Sequence, residues 1–176
     1  MIAFRNDDVN ANSNFDHIVI IYRMIRDKFP ESEIYSAITI FAKDNSQGMV
    51  YPTTPIPIPD RKFYEVDKMF NNIQLPYLFH IASHGLFHCK HEGLSYEAQK
   101  MSIIGSCNLL NTKIFIPPFW MWDATTERVC NNNGINLWVQ PHWKNIEHEP
   151  FDPKHAYWLF HSWKWTPETF WKAINK

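Results

Sequence analysis

Ile81-Ala82-Ser83-His84-Gly85-Leu86-Phe87-His88-Cys89-Lys90-His91-Glu92 carries the chain from an apolar run into a cluster of imidazoles. His84, His88 and His91 fall within eight residues. A His-x-x-x-His pair on a helical turn sets two rings on one side, near enough to share a cation. Neutral imidazole is also the commonest protein metal ligand. The competing reading is a set of core or surface histidines that bind nothing. His80 and His84 are also four apart, so spacing alone does not fix which pair would act. Pro76 to Ala82, just upstream, reads as a buried strand that delivers the chain to His84.

Outward from this stretch, strands and helices alternate. Met1 to Phe4 is a short strand that runs into an acidic loop, Arg5-Asn6-Asp7-Asp8. Phe15, Ile18, Val19, Tyr22, Ile25 and Phe29 recur at helical steps after the capping types Asn12, Ser13 and Asn14, and Pro30 stops them. Ile34 to Ala42 is β-branched and almost uncharged, as a strand covered on both faces must be. Pro52, Pro55, Pro57 and Pro59 exclude helix and central strand, leaving an extended loop or a groove wall. Arg61 to Asn71 reads as a short helix. Ser95 caps a helix to about Leu110, and Lys113 to Ile116 is a strand stopped by Pro117-Pro118. Asp123 caps Ala124 to Asn132, with Gly134 as a left-handed stop. Ile135 to Val139 and His155 to Phe160 are strands, and Thr166-Pro167-Glu168 opens a last helix. About six such alternations, in one domain spanning residues 1–176, predict a mostly parallel α/β fold, open or closed into a barrel.

Bulk properties narrow the partners. With 17 basic and 18 acidic residues and no long basic run, a nucleic-acid surface is excluded. The apolar run Ile18 to Tyr22 is too short to span a bilayer, and Arg5 breaks any signal-like start. Cys89, Cys107 and Cys130 show no paired spacing, so reduced thiols and a cytoplasmic location are expected. Cys89 reads as a small buried hydrophobe rather than a ligand. Eight Trp, thirteen Phe and seven Tyr exceed what a core needs and suit flat ligand faces such as sugar rings.

In folds of this class, chemistry sits at the C-terminal ends of strands. Four such ends carry notable groups: Asp7-Asp8, His84 with His88, Pro117-Pro118-Phe119-Trp120, and His161. The order of these motifs resembles the polysaccharide deacetylases of the NodB-homology type, carbohydrate esterase family 4, and their short divergent branch in particular. The resemblance runs over nearly the whole chain. It implies a distorted, incomplete (β/α) barrel of about six strands. It also implies a divalent metal on Asp8, His84 and His88, with Asp7 as catalytic base and His161, in Leu159-Phe160-His161, as general acid. Pro118, Phe119, Trp120 and Trp122 would line the substrate groove. Nitrogen and oxygen ligands suit zinc, with iron, nickel, cobalt and manganese also compatible.

Two departures bear on the base. The arginine of the family's Arg-x-Pro motif is replaced by Ile116, and its Asp-x-x-Asp-Trp motif has no match. Ile116 is therefore expected to fill the arginine's space, with Asp7 held by a backbone N–H or water. Gly85 also stands where the family has Ser or Thr. The activity implied is removal of an N-acetyl group from an amino sugar or glycan precursor. The alternatives are an inactive carbohydrate-binding relative and a hydrolase of a non-sugar amide. His80, His91, His142 and Cys89 remain alternative ligands.

Overall fold

The computed structural model describes residues 1–10, 13–40, 78–139 and 142–175. The Pro52–Pro59 loop and the Arg61–Asn71 helix read from sequence lie outside these residues, as do the ends of the strands expected from Ile34 and Pro76. Seven strands form one sheet: β1 (Ala3–Val9), β2 (Glu33–Ile38), β3 (His80–Ser83), β4 (Ile114–Phe115), β5 (Asn136–Leu137), β6 (Lys144–Asn145) and β7 (Tyr157–Phe160). Their order is β5-β4-β3-β2-β1-β7-β6, and every pairing is parallel. The sheet is an incomplete (β/α) barrel. Its seventh member is β6, two residues that carry none of the alternating pattern a sequence reading needs.

Among the described residues four α-helices flank it: α1 (Phe15–Lys28), α2 (Tyr96–Leu109), α3 (Ala124–Asn132) and α4 (Pro167–Ile174). Each starts at a capping residue read from sequence. Asn14 accepts from the His17 N–H and Ser95 from that of Ala98, while Asp123 and Thr166 form capping boxes. A cap of this kind stabilises a helix by about 1 kcal/mol.

The strand period of two decides what each face of β1 and β2 meets. Phe4 and Ile34 pack against Ile18, Ile21, Tyr22 and Ile25 of α1 in the main core. Arg5, Asp7, Tyr35 and Ala37 alternate with them and face the other way. There Ala37, Ala82 and Ile116 form a small cluster with Trp138. Tyr35 lies against Trp138, Trp138 against Trp143, and Trp143 against Tyr157, with centroids 3.9, 5.2 and 5.3 Å apart. Part of the chain's aromatic surplus is thus spent filling a barrel that has too few strands to close. Ile103, Phe115, Val129 and Ile135 make a second core under α2 and α3, with the buried thiols Cys107 and Cys130.

Candidate metal centre

Adjacent residues on a regular strand face opposite sides, so Asp7 and Asp8 could share a site only if the strand ended before them or lost its regular geometry there. It does not end there. Strand β1 runs through both acids to Val9, and its register against β2 slips between Asn6 and Val9. Asp8 adopts φ 62°, a left-handed conformation that Asp tolerates better than most residues. This bulge re-aims one side chain, a common device beside functional sites. Asp7 stays on the Arg5 face, and Asp8 turns into a group of histidines.

Two strands bring those histidines in. His84 and His88 follow β3, and His161 follows β7. The expected helical turn between His84 and His88 is absent: the segment is irregular, and Gly85 at φ 92° makes the bend. His88 Nε2 lies 2.8 Å from Asp8 Oδ1, and His84 Nε2 lies 3.4 Å from the same oxygen. His161 Nε2 is 3.6 Å from Asp8 Oδ2. The ligand atoms of Asp8, His84 and His88 all fall within 4.8 Å of one another. Buried His84 donates from Nδ1 to the Ile116 carbonyl at 2.8 Å, which leaves Nε2 for Asp8. Such an outer hydrogen bond fixes the ring and its tautomer, as metal-binding histidines require. Burial alone would raise the Asp8 carboxyl, but hydrogen bonds to His84 and His88 outweigh it and hold it well below the usual range. One carboxylate and two imidazoles around a common point are a donor set that fits a divalent cation.

Two residues that the sequence reading missed complete the site. The first corrects the expectation for Asp7. Where a backbone N–H or water is expected, a cation is found: Arg5 Nη2 donates to Asp7 Oδ2 at 2.7 Å. Both residues are buried, Arg5 to 1% exposure and Asp7 to 5%. The guanidinium lies 4.1 Å from the centre of the Trp120 ring and 4.9 Å from that of Trp143. Asp7 Oδ1 and Arg5 Nε make no hydrogen bond among the described residues. The signal was available in sequence, because positions 5 and 7 of one strand share a face. The second is Glu147. Its Oε1 accepts from both the backbone N–H and the Nδ1 of His161, each at 2.8 Å, and Lys164 donates to Oε2. Burial alone would lower His161, but the Glu147 hydrogen bond, with the charges of Asp8, Asp7 and Glu147, raises it. Burial would raise Glu147, yet His161 and Lys164 bring it down to about 2. Asn6 also ties the two parts of the site together, since its Oδ1 accepts from the Ser162 N–H at 2.8 Å.

The remaining candidates separate clearly. His91 is buried with Nε2 on Ser102 at 3.0 Å, against the Phe115 ring. His80 is exposed beside Tyr35, His142 is exposed, and Cys89 is a buried thiol. Of the expected groove residues, Phe119 lies 4.4 Å from the His88 ring and is 43% exposed, Trp120 stacks on Arg5, Pro118 is buried and Trp122 is half-buried. Phe119 and Trp120 both take positive φ, 55° and 59°, a strained pair of the kind that clusters at functional sites. Trp163, 63% exposed, lies 5.9 Å from the His161 ring and is not among the groove residues expected from sequence.

No family model matches the chain, and no curated protein matches it. Solved structures do. A family 4 carbohydrate esterase pseudoenzyme from Bacillus anthracis superposes with a TM-score of 0.59 at 12% identity, covering 99% of this chain and 58% of its own. A mutant of a family 4 carbohydrate esterase pseudoenzyme reaches 0.60 at 12% identity, over 99% of this chain and 61% of its own. A family 4 carbohydrate esterase from Streptomyces lividans gives 0.55 at 12% identity, over 98% and 82%. A mutant peptidoglycan deacetylase from Bacillus subtilis gives 0.59 at 10% identity, over 99% and 81%. This chain therefore spans about three-fifths of the pseudoenzyme's length and about four-fifths of the other two. At such identities the likeness is one of architecture: the chain has the polysaccharide-deacetylase fold of carbohydrate esterase family 4.

Proposed function

We propose that the chain is a metal-dependent hydrolase that removes an N-acetyl group from an amino sugar or a glycan precursor. The observation that carries this reading is the meeting of Asp8, His84 and His88 within 4.8 Å, with His161 3.6 Å from Asp8 and Asp7 the preceding residue, at the C-terminal ends of strands in a deacetylase fold. Asp8 and the two imidazoles would hold the cation. When bound, it polarises the amide carbonyl and makes water acidic enough to attack near neutral pH. Asp7 is the base. Arg5 occupies Oδ2, so Oδ1 is the atom left to take the proton of the attacking water. A buried carboxylate oxygen without a donor costs roughly 1–3 kcal/mol, a cost that makes sense if the oxygen is kept for chemistry. Glu147 accepts from His161 Nδ1, which points Nε2 into the site and favours the imidazolium. Nε2–H then protonates the departing amine, a poor leaving group without that proton. Phe119, beside His88, and Trp163, beside His161, offer exposed flat faces for a sugar ring.

The same fold is carried by a pseudoenzyme, so metal content alone does not decide activity. The test is metal analysis of the purified chain and turnover of N-acetylated amino sugars after zinc, cobalt, nickel, manganese or iron loading. One ion per chain with release of acetate is the expected result. Metal binding with no acetate from any N-acetyl sugar would give way to the inactive-relative reading. Hydrolysis confined to non-sugar amides would move the substrate class.

A further inference from the structure

We infer that Arg5 is the positioning residue for Asp7, and that it does this work only as a guanidinium clamped between Trp120 and Trp143. The inference rests on the proposed role of Asp7 as base. Three observations converge. Arg5 and Asp7 sit two apart on one strand, hence on one face, and are joined by a 2.7 Å charge-assisted bond in a buried setting. The guanidinium carbon lies over two indole rings, 4.1 Å from the centre of Trp120 and 4.9 Å from that of Trp143, while Nη2 holds the carboxylate. One of those indoles, Trp120, belongs to the strained Phe119–Trp120 pair whose other ring packs on His88. Arg5 therefore joins the base to the aromatic wall of the groove. It does so from β1, whereas Ile116 on the far side of β2 and β3 provides nothing polar there except its backbone carbonyl.

Lysine cannot substitute in this arrangement. An ammonium is a point donor without a planar face, so neither indole would hold it in register with Oδ2. A charge alone near Asp7 is not enough; what matters is the orientation that leaves Oδ1 free.

The test combines structure with a double-mutant cycle. Crystal structures of wild type and Arg5→Lys, each loaded with zinc, should show the Asp7 carboxylate displaced in the variant while Asp8, His84 and His88 keep their places. Turnover of an N-acetyl sugar by Arg5→Lys should fall on the order of 10–100-fold in kcat, with KM and metal content within about twofold, as for an interaction made in the transition state. Arg5→Lys added to Asp7→Asn should cost nothing further, because the residue acts through Asp7. In Arg5→Ala, millimolar guanidinium should restore part of the lost rate and ammonium should not. Trp143→Leu is the second variant, used if changes at Arg5 prevent folding. It leaves the ion pair and all ligands in place, and kcat should fall with KM unchanged. Additive losses in the cycle, an unmoved Asp7 in Arg5→Lys, or wild-type kcat in Trp143→Leu would each overturn the inference. If the wild type hydrolyses no N-acetyl sugar, the functional reading fails on its own. The position of Asp7 in the two crystal structures still decides the role of Arg5.

Discussion

Asp7 and Asp8 have the same chemistry, and the proposed division of work between them rests on their neighbours. Asp8 meets three imidazole nitrogens, whereas Asp7 meets a guanidinium and keeps one oxygen without a donor among the described residues. Asp7→Asn keeps the size and polarity of the side chain but cannot take a proton. It should retain the metal and lose roughly two to four orders of magnitude in turnover, the usual scale for a general base. Asp8→Asn is the better probe of the ligand than Asp8→Ala, because Asn tolerates φ 62° and Ala does not. It removes the one negative charge from the donor set and should cost both metal and activity. His161→Ala should keep the metal and hurt an N-acetyl sugar far more than an aryl acetate, whose leaving group needs no proton. Metal content and turnover for the three variants check the assignment. Loss of metal in Asp7→Asn with retention in Asp8→Asn would reverse the two roles.

The turn between β3 and α2 shows how an element sets a site. His84 and His88 reach one point because Gly85 bends the chain at φ 92°. A Cβ there would lie 3.0 Å from the Phe87 carbonyl oxygen, 3.2 Å from His91 and 3.3 Å from Ser102. Gly93 is also left-handed, at φ 80°, but a Cβ there meets nothing within 4 Å. Gly85→Ala therefore adds collisions to backbone strain, while Gly93→Ala adds strain alone, on the order of 1–3 kcal/mol. Gly85→Ala should lower Tm more than Gly93→Ala, at roughly 2–4 °C per kcal/mol, and only Gly85→Ala should weaken metal binding. Calorimetry and a metal titration of both variants check this. Equal effects would mean that the turn is not what aligns the ligands. The same turn explains what sequence could and could not reveal. Helices α1 to α4 were legible because caps and apolar periodicity are local. The identity of His84 and His88 came from motif order, but their meeting through an irregular bend rather than a helix did not. The bulge at Asp8 was hidden too, since nothing in Asn6-Asp7-Asp8-Val9 distinguishes a strand that ends from one that slips register. Glu147 lay beyond reach because it stands 14 residues before His161 and meets it only through the sheet.

For the molecule as a whole, buried His91 couples stability to pH in the mildly acidic range. The residue is 0% exposed, hydrogen-bonded to Ser102 and packed on Phe115 between the sheet and α2. Burial, followed by the nearby His84, lowers its pKa from 6.5 to about 4, against smaller opposing effects from the Cys89 backbone and Asp123. In the unfolded chain His91 takes a proton near pH 6.5, whereas in the folded chain it resists until about 4. Between those values the unfolded state binds more protons, so stability falls as pH falls. The contribution is complete above 6.5 and gone below about 4, and the interval corresponds to about 3 kcal/mol. His161 works in the opposite sense: its raised value adds stability that is present at low pH and lost as pH rises through it. Glu147, held at about 2, adds stability that is lost only at more acidic pH, starting near its ordinary 4.5. The stretch from 6.5 down to about 5 therefore belongs chiefly to His91. Denaturant unfolding of the metal-free chain at stepped pH should show ΔG declining across this stretch. His91→Gln keeps an N–H for Ser102 and has no titrating ring, so its curve should be markedly flatter there. Parallel curves for the two proteins would show that another group governs the acid limit of the fold.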